Sequence, residues 1–423
     1  MNILFIHQNF PAQFKYLAPA LSLKGHNVKA LLINNSSRNS RTNVNLADND
    51  NLPSCYQNVE LSYYVVNRST SQSIHPWCHD FETKVIRAEA SYKALKLLRN
   101  RGFVPDLVIA HHGWGEAMFV KEVWPSTTLS LYCEFFYQVK GADFRFDPEF
   151  PETEDSVCRL QLKNLNHLFH CNQADAGISP TKWQASTFPS PFKEKISVIH
   201  DGIDTKILVP DKSSNLVINN ARKFTSEDEI ITFVNRNLEP YRGFHIFMRS
   251  LPDLLRRKPN ANIFVVGGAS VSYGQAAPKG QSWKEIFINE VRSSIPDEDW
   301  SRVYFLGQIP YEYFINLLQI SSVHVYFTYP FVLSWSLLEA MSIACPIVAS
   351  NTKPLLEVIK HNYNGRLIDF FDVSGLTEEI IYLLDNPKEA RRLGNNARKF
   401  AIDNYDLNSV CLPKQIEWVN SLL

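Results

Sequence analysis

The sequence predicts an α/β protein built from two doubly wound halves, each a parallel sheet with helices on both faces. Three observations carry this. Short runs of buried-strand character alternate with segments of helical period along the whole chain. The alternation is interrupted once, near residue 205, by a polar stretch. Finally, residues 324–350, HVYFTYPFVLSWSLLEAMSIACPIVAS, hold strand, loop, helix start and strand in one unit. Ser334 or Ser336 caps that helix, leaving unpaired N–H groups and a positive dipole end suited to a phosphate.

With 423 residues the chain has room for two domains of ordinary size. Lys plus Arg equals Asp plus Glu, at 43 each, so the overall charge does not indicate a nucleic-acid partner. A neutral sum leaves room for peripheral contact with the inner face of a membrane through a local patch. No apolar run approaches the roughly 18–20 residues of a membrane span. The opening MNILFIHQNF has no basic lead-in or small-residue cleavage site and reads as a first strand. Seven cysteines, scattered and without a CxxC spacing, point to reduced thiols in a cytoplasmic protein. Cys78, with His75 and His79, has metal-ligand residue types, but no second pair follows at a usable spacing, so no metal site is expected.

In order, Asn2–Ile6 is a strand, about Ala12–Lys24 a helix closed by Gly25, and Val28–Ile33 the next strand. The intervening loop places His7, Gln8 and Asn9 at the carboxyl edge of a parallel sheet, where ligands sit in open α/β folds. It has no glycine fingerprint, and polar residues filling a turn read equally well. Residues 34–58 are a polar loop and Val59–Val66 a strand, followed by a helix over about His79–Asn100. The strand Pro105–Ala110 ends in His111, His112 and Gly113. Leu129–Cys133 is a strand, Asp143–Asp155 a solvated acidic loop, Ser156–Cys171 a helix and Ala176–Ser179 a strand. Ile196–Asp204 ends this half in a strand and a turn, and Lys206–Glu229 reads as an irregular linker.

The second half opens with the strand Ile230–Asn235. Helices follow over Phe244–Arg257, Trp283–Ser294 and Tyr311–Leu318, with strands Ala261–Val266 and Val303–Leu306 between them. After the 324–350 unit, whose second strand is Ile347–Ala349, come the strand Arg366–Ile368 and then helices Leu376–Leu384, Pro387–Asn404 and Ser409–Leu423. The strand-end loops of this half hold the candidate chemistry. Arg236 and Arg242, six apart with Gly243 opening a helix, can converge on a diphosphate through charge-assisted bonds. Gly267 and Gly268 permit close backbone approach. Gly307, Gln308 and Ile309 form a third loop, able to meet a base edge through main-chain groups. Glu339 can accept two hydroxyl hydrogen bonds, as a ribose offers.

In this order the pieces resemble the retaining glycosyltransferases of family 4. The resemblance runs through VIAHHGWGE, SVIHDGID, NRNLEPYRG, VVGG, FLGQIP and LLEAMSIACPIVAS and covers essentially the whole chain. It implies the GT-B architecture, two Rossmann-like doubly wound parallel-sheet domains facing across a cleft: residues 1–205 on the acceptor side, 206–404 on the donor side, and 405–423 packing back on the first. It implies that Arg236 and Arg242 hold the donor diphosphate, with arginine at 242 where lysine is usual, and that Glu339 binds the ribose. His111, with His112 as the alternative, would lie beside the transferring sugar, with His7, Gln8, Asn9 and His112 on the acceptor side. The family's glutamate for the donor sugar falls at Phe331, so Leu333, Ser334, Trp335 and Ser336 become the candidates for that contact.

The implied reaction is metal- and cofactor-independent transfer of a hexosyl group, with retention. The donor would be a UDP- or GDP-sugar and the acceptor a glycan or lipid-linked hydroxyl, in cytoplasmic surface-polysaccharide or glycoconjugate synthesis. A catalytically silent nucleotide-sugar- or carbohydrate-binding protein and a nucleotide-sugar epimerase are the competing expectations.

Overall fold

The computed structural model describes residues 1–34, 56–218 and 222–423, and the chain divides into two compact units, Met1–Asp201 with Asn408–Leu423, and Gly202–Leu407. In the first unit, β1 (Asn2–Ile6), β2 (Asn27–Ile33), β3 (Val59–Tyr64), β4 (Leu107–His111), β5 (Thr128–Tyr132), β6 (Ala176–Ser179) and β7 (Ile196–Val198) form one parallel sheet of order β3-β2-β1-β4-β5-β6-β7. Its central strands are largely apolar and buried because helices cover both faces, leaving no solvent-facing side. The order reverses between β1 and β4, where the two outgoing loops diverge and leave a crevice at the carboxyl ends. The terminal helix Leu412–Leu422 buries Trp418 and Val419 among Ile3, Phe5 and Leu107.

In the second unit, β8 (Asn215–Ile218) and β9 (Arg222–Thr225) pair antiparallel. Then β10 (Ile230–Asn237), β11 (Asn262–Gly268), β12 (Val303–Gly307), β13 (Val323–Tyr326), β14 (Ile347–Ser350) and β15 (Arg366–Ile368) form a parallel sheet of order β12-β11-β10-β13-β14-β15. Its reversal lies between β10 and β13, so the loops carrying Arg236 to Arg242 and Phe327 to Ser334 leave the sheet at the switch point.

Two expected elements differ. The linker over 206–229 contains the β8–β9 pair, in which Leu216 and Phe224 are buried while Val217 faces out. The helix expected over Ala12–Lys24 is a 3₁₀ turn, Ala12–Phe14, followed by a separate α-helix, Leu17–Leu23. Pro19 sits in the first turn of the latter, where its missing N–H is harmless, but it cannot donate to Lys15 and so cannot continue a helix from residue 12. The loop expected over 34–58 lies mostly outside the described residues, as does Cys55; the six described cysteines are free thiols. Among the described residues no helix is long and apolar enough to cross a membrane.

Candidate functional site

In the second unit the site is assembled at the β10/β13 reversal. β10 delivers Asn235 to Asn237, and the chain then turns through Pro240–Arg242 into the helix Phe244–Arg257. Gly243 makes that turn at φ +70°, and a Cβ there would lie 2.5 Å from the Phe327 Cβ. A glycine is therefore required where the loop crosses the end of β13.

Arg242 is buried, and its Nη1 donates to Thr328 Oγ1 at 2.7 Å, with Tyr326 Oη and the Val332 carbonyl each at 3.4 Å. The guanidinium also lies 5.2 Å from the Tyr273 ring centre. All these partners are neutral, and among the described residues no carboxylate comes within ion-pair distance of Arg242. The same Tyr326 hydroxyl accepts from the Ser334 N–H at 3.2 Å. Ser334 is the N-cap of the helix Trp335–Ser342, its Oγ accepting from the Ser336 N–H. Arg242 and the positive end of this helix thus share one phenol oxygen, which brings two of the expected anion-binding features together. Leu333 is buried, Trp335 is exposed and Arg236 is exposed near the carboxyl end of β10.

The neighbouring strand ends are close-packed. A Cβ on Gly267 would lie 2.9 Å from the Asn235 carbonyl, and one on Gly268 would lie 2.5 Å from Asn237 Oδ1 and 3.2 Å from Gln308 Nε2. Gly307 turns at φ +67°, leaving Gln308 exposed and Ile309 packed against the core. Glu339, partly exposed, accepts from the Tyr311 hydroxyl at 2.7 Å. Phe331 is buried edge-on against Tyr241 at 5.2 Å and close to Tyr273 at 5.1 Å. It serves as packing for the loop walls.

Glu239 was not among the expected residues. Its buried carboxylate accepts from the N–H groups of Ser272, Tyr273 and Gly274 at 3.2–3.3 Å. It thereby fixes the segment that places Tyr273 over Arg242. A glutamate next to Pro240 in a polar loop gives no sequence signal for this, because the amides it binds lie 33–35 residues away.

In the first unit, β1 and β4 deliver His7 and His111 to the other reversal point. The two rings meet edge-on at 5.2 Å. His7 Nδ1 accepts from the Asn9 N–H at 2.9 Å, and His111 Nδ1 accepts from the Gly113 N–H at 3.0 Å. His7 and Gln8 are buried and Asn9 is exposed. Burial, then the nearby His111, hold His7 well below the usual imidazole range. Glu134, just past the end of β5, brings Oε2 within 3.4 Å of His111 Nε2. Glu134 was not among the expected residues. His112, expected on the acceptor side, has its Nδ1 2.5 Å from that of His167, and its ring meets Phe188 edge-on at 5.2 Å. Its polar contact is with the helix Asp155–Gln173 and not with the strand ends, and burial followed by His167 lowers its pKa.

The comparisons with known proteins agree with this architecture. The chain matches the family described as "Glycosyl transferase family 4 group" over residues 39–208 and that described as "Glycosyl transferases group 1" over residues 217–400. It is 23% identical over 257 residues to a GDP-mannose-dependent alpha-(1-6)-phosphatidylinositol monomannoside mannosyltransferase of Mycolicibacterium smegmatis, covering 59% of this chain and 62% of that protein's length. It is 23% identical over 318 residues to a D-inositol 3-phosphate glycosyltransferase of Corynebacterium efficiens, covering 73% of this chain and 69% of the relative. Among solved structures, sucrose-phosphate synthase from Thermosynechococcus elongatus superimposes with a TM-score of 0.69 at 18% identity, covering 100% of this chain and 99% of that one. Anabaena HepE in complex with UDP gives 0.65 at 16% identity, with both chains covered to 100%. These structures share the fold, the two family matches fall one on each half, and the chain belongs to the family 4 glycosyltransferases of GT-B architecture.

Proposed function

We propose that this glycosyltransferase moves a hexosyl group from a UDP- or GDP-sugar to a hydroxyl of a glycan or lipid-linked acceptor, with retention of anomeric configuration, in surface-polysaccharide or glycoconjugate synthesis. One observation carries the reading: Arg242 is buried among neutral oxygens and shares Tyr326 with the start of the helix at Ser334. A desolvated cation without a carboxylate is costly, and a diphosphate arriving from solvent would neutralise it. The exposed Arg236, near the end of β10, adds a second guanidinium six residues before it. The GDP-mannose dependence of the M. smegmatis relative and the UDP bound to HepE support a nucleoside-diphosphate donor of one of these two kinds.

On this reading the bond from the anomeric carbon to the diphosphate oxygen breaks as the acceptor oxygen bonds to the same face, and the acceptor's proton passes to the departing diphosphate. Arg236, Arg242 and the helix start stabilise the charge that develops there. Glu339 holds the ribose, Gly267, Gly268, Gly307, Gln308 and Ile309 line the nucleotide, and His111 attends the sugar. Charge stabilisation by these groups requires no metal or cofactor, so turnover persists in EDTA.

A thermal-shift panel of UDP-, GDP- and dTDP-sugars tests the donor, since ligand at a hundredfold excess over Kd adds about 2.7 kcal/mol to the folded state. The stabilising donor is then followed for turnover. The reading fails if no donor is bound or hydrolysed and Arg236→Ala changes nothing. Phe331, standing where the resemblance puts a sugar-binding glutamate, favours a second reading, a silent nucleotide-sugar-binding protein. That reading requires binding without turnover, and detected transfer ends it.

A further inference from the structure

We propose that Glu134 is a substrate-binding residue of the first unit, forming with His111 a clamp for a single sugar hydroxyl. The inference rests on the transferase reading given above and concerns a residue to which that reading gives no role.

The geometry of His111 determines which of its atoms faces the substrate. Its Nδ1 accepts from the Gly113 N–H at 3.0 Å, so the neutral ring carries its proton on Nε2. The ring cannot easily leave this pose. It stacks on Tyr132 at 5.8 Å and Trp114 at 5.9 Å, meets His7 edge-on, and a Cβ on Gly113 would come within 2.8 Å of its Cε1. Nε2 is buried with no hydrogen bond among the described residues, a costly state for a ring N–H. Among the described residues the carboxylate within ion-pair distance of it is Glu134, at 3.4 Å from Nε2 to Oε2 and outside hydrogen-bond geometry.

Glu134 differs from His111 in exposure, its side chain being 38% accessible where that of His111 is 2%. Its position is nevertheless set: Gln184 donates to its carbonyl at 2.7 Å, and Gln13 Nε2 approaches Oε1 at 3.5 Å. A donor and an acceptor 3.4 Å apart both reach one hydroxyl oxygen about 2.8 Å from each, within ordinary hydrogen-bond lengths. The imidazole N–H donates to that oxygen and its O–H donates to the carboxylate. This satisfies the buried ring nitrogen and uses the hydroxyl in both its roles. The ligand class is a polyhydroxylated sugar, supplied either by the donor or by the acceptor. The pair lies at the β1/β4 reversal, where ligands of doubly wound sheets bind.

The test uses the full chain and the donor found by the panel. Turnover is followed with water as the only acceptor and with added methyl glycosides. The wild type is compared with Glu134→Gln, Glu134→Asp, His111→Asn and the double variant that combines Glu134→Gln with His111→Asn, with melting temperature as the folding control. Glu134→Gln is expected to lower kcat/KM about 10- to 100-fold, the loss of one charge-assisted hydrogen bond, at unchanged melting temperature, with partial recovery in Glu134→Asp. The double variant is expected to be no worse than the poorer single, since the two groups hold one hydroxyl. A loss confined to glycosyl transfer, seen in the acceptor KM, assigns the hydroxyl to the acceptor. An equal loss in hydrolysis, with a raised donor KM, assigns it to the donor sugar. Wild-type rates in Glu134→Gln, or fully additive losses in the double variant, overturn the clamp alone. Absence of any turnover by the wild type removes the transferase reading itself.

Discussion

Arg236, near the end of β10, and Arg242, in the turn that follows, sit in different environments, and their substitutions should separate binding from stability. Removing Arg242 strips donors from Thr328 and Tyr326 inside the unit and deletes the buried charge. Removing Arg236 deletes an exposed charge only. Arg242→Ala is expected to weaken UDP or GDP binding by about 10- to 100-fold, the range for hydrogen bonds to a charged group, and to lower the melting temperature. Arg236→Ala should weaken binding in the same direction at an unchanged melting temperature, both measured by calorimetric titration and thermal unfolding. A different residue tests backbone strain. Ala344 follows the helix Trp335–Ser342 and its cap Ile343 at φ +63°, in the left-handed position that favours glycine. The left-handed conformation costs a side-chain-bearing residue roughly 1–2 kcal/mol, part of which glycine loses again in unfolded-chain entropy. Ala344→Gly is therefore expected to stabilise the protein by about 0.5–1 kcal/mol in urea unfolding, and a decrease would refute the strain argument. At this scale the sequence located positions: Arg242 in the turn after a strand, His111 at a strand end and Glu339 on the helix that follows a strand-end loop, each where the structure has it. Glu134, Glu239 and Tyr326 stayed hidden because their partners are remote in sequence and only the packed fold supplies them.

Elements follow the same division. Strands buried on both faces and long helices were legible from period alone; the helix His79–Asn100 falls where its spacing predicts. The β8–β9 pair was not, because its four-residue strands carry Asn, Lys and Arg and only Leu216 and Phe224 mark the buried side. The break before Leu17 was legible in principle from Pro19, whose missing donor sets the earliest start of that helix. The segment Ser272–Gly274 has neither strand nor helix period. Its order comes from three N–H groups bound to one Glu239 carboxylate. Glu239→Ala leaves those part-buried donors to water, at a cost below the roughly 1–3 kcal/mol of a fully buried group. Hydrogen exchange at 272–274 is expected to accelerate while the helix Phe244–Arg257 keeps its protection, because that helix is held by its own apolar face. Unchanged exchange at these amides would show that the carboxylate does not order the segment.

Across the molecule, buried neutral histidines are concentrated in the first unit, and this makes its stability depend on pH. Burial lowers His7, His112 and His167 well below the usual value of 6.5, His170 to about 4 and His200 to about 3. In the second unit burial lowers His324 to about 4. Each of these groups binds its proton in the unfolded chain near pH 6.5 but resists it when folded. Between those values the unfolded state holds more protons, so stability is complete above pH 6.5 and is lost as the pH falls toward 4. For His170 alone the full span is on the order of 3 kcal/mol. Glu116, raised by burial, runs the other way and regains part of this as it is protonated, but it is one group against five. Calorimetry from pH 7.5 to 4.5, with hydrogen exchange to locate the opening, is expected to show the first unit losing protection before the second. The helix Asp155–Gln173, which carries His167 and His170, should open before Phe244–Arg257. His170→Phe removes one titrating group from that helix and should flatten the acid limb without changing its order. Equal acid shifts in both units would mean that the histidines of the first unit are already accommodated as cations, and the argument from burial would fail.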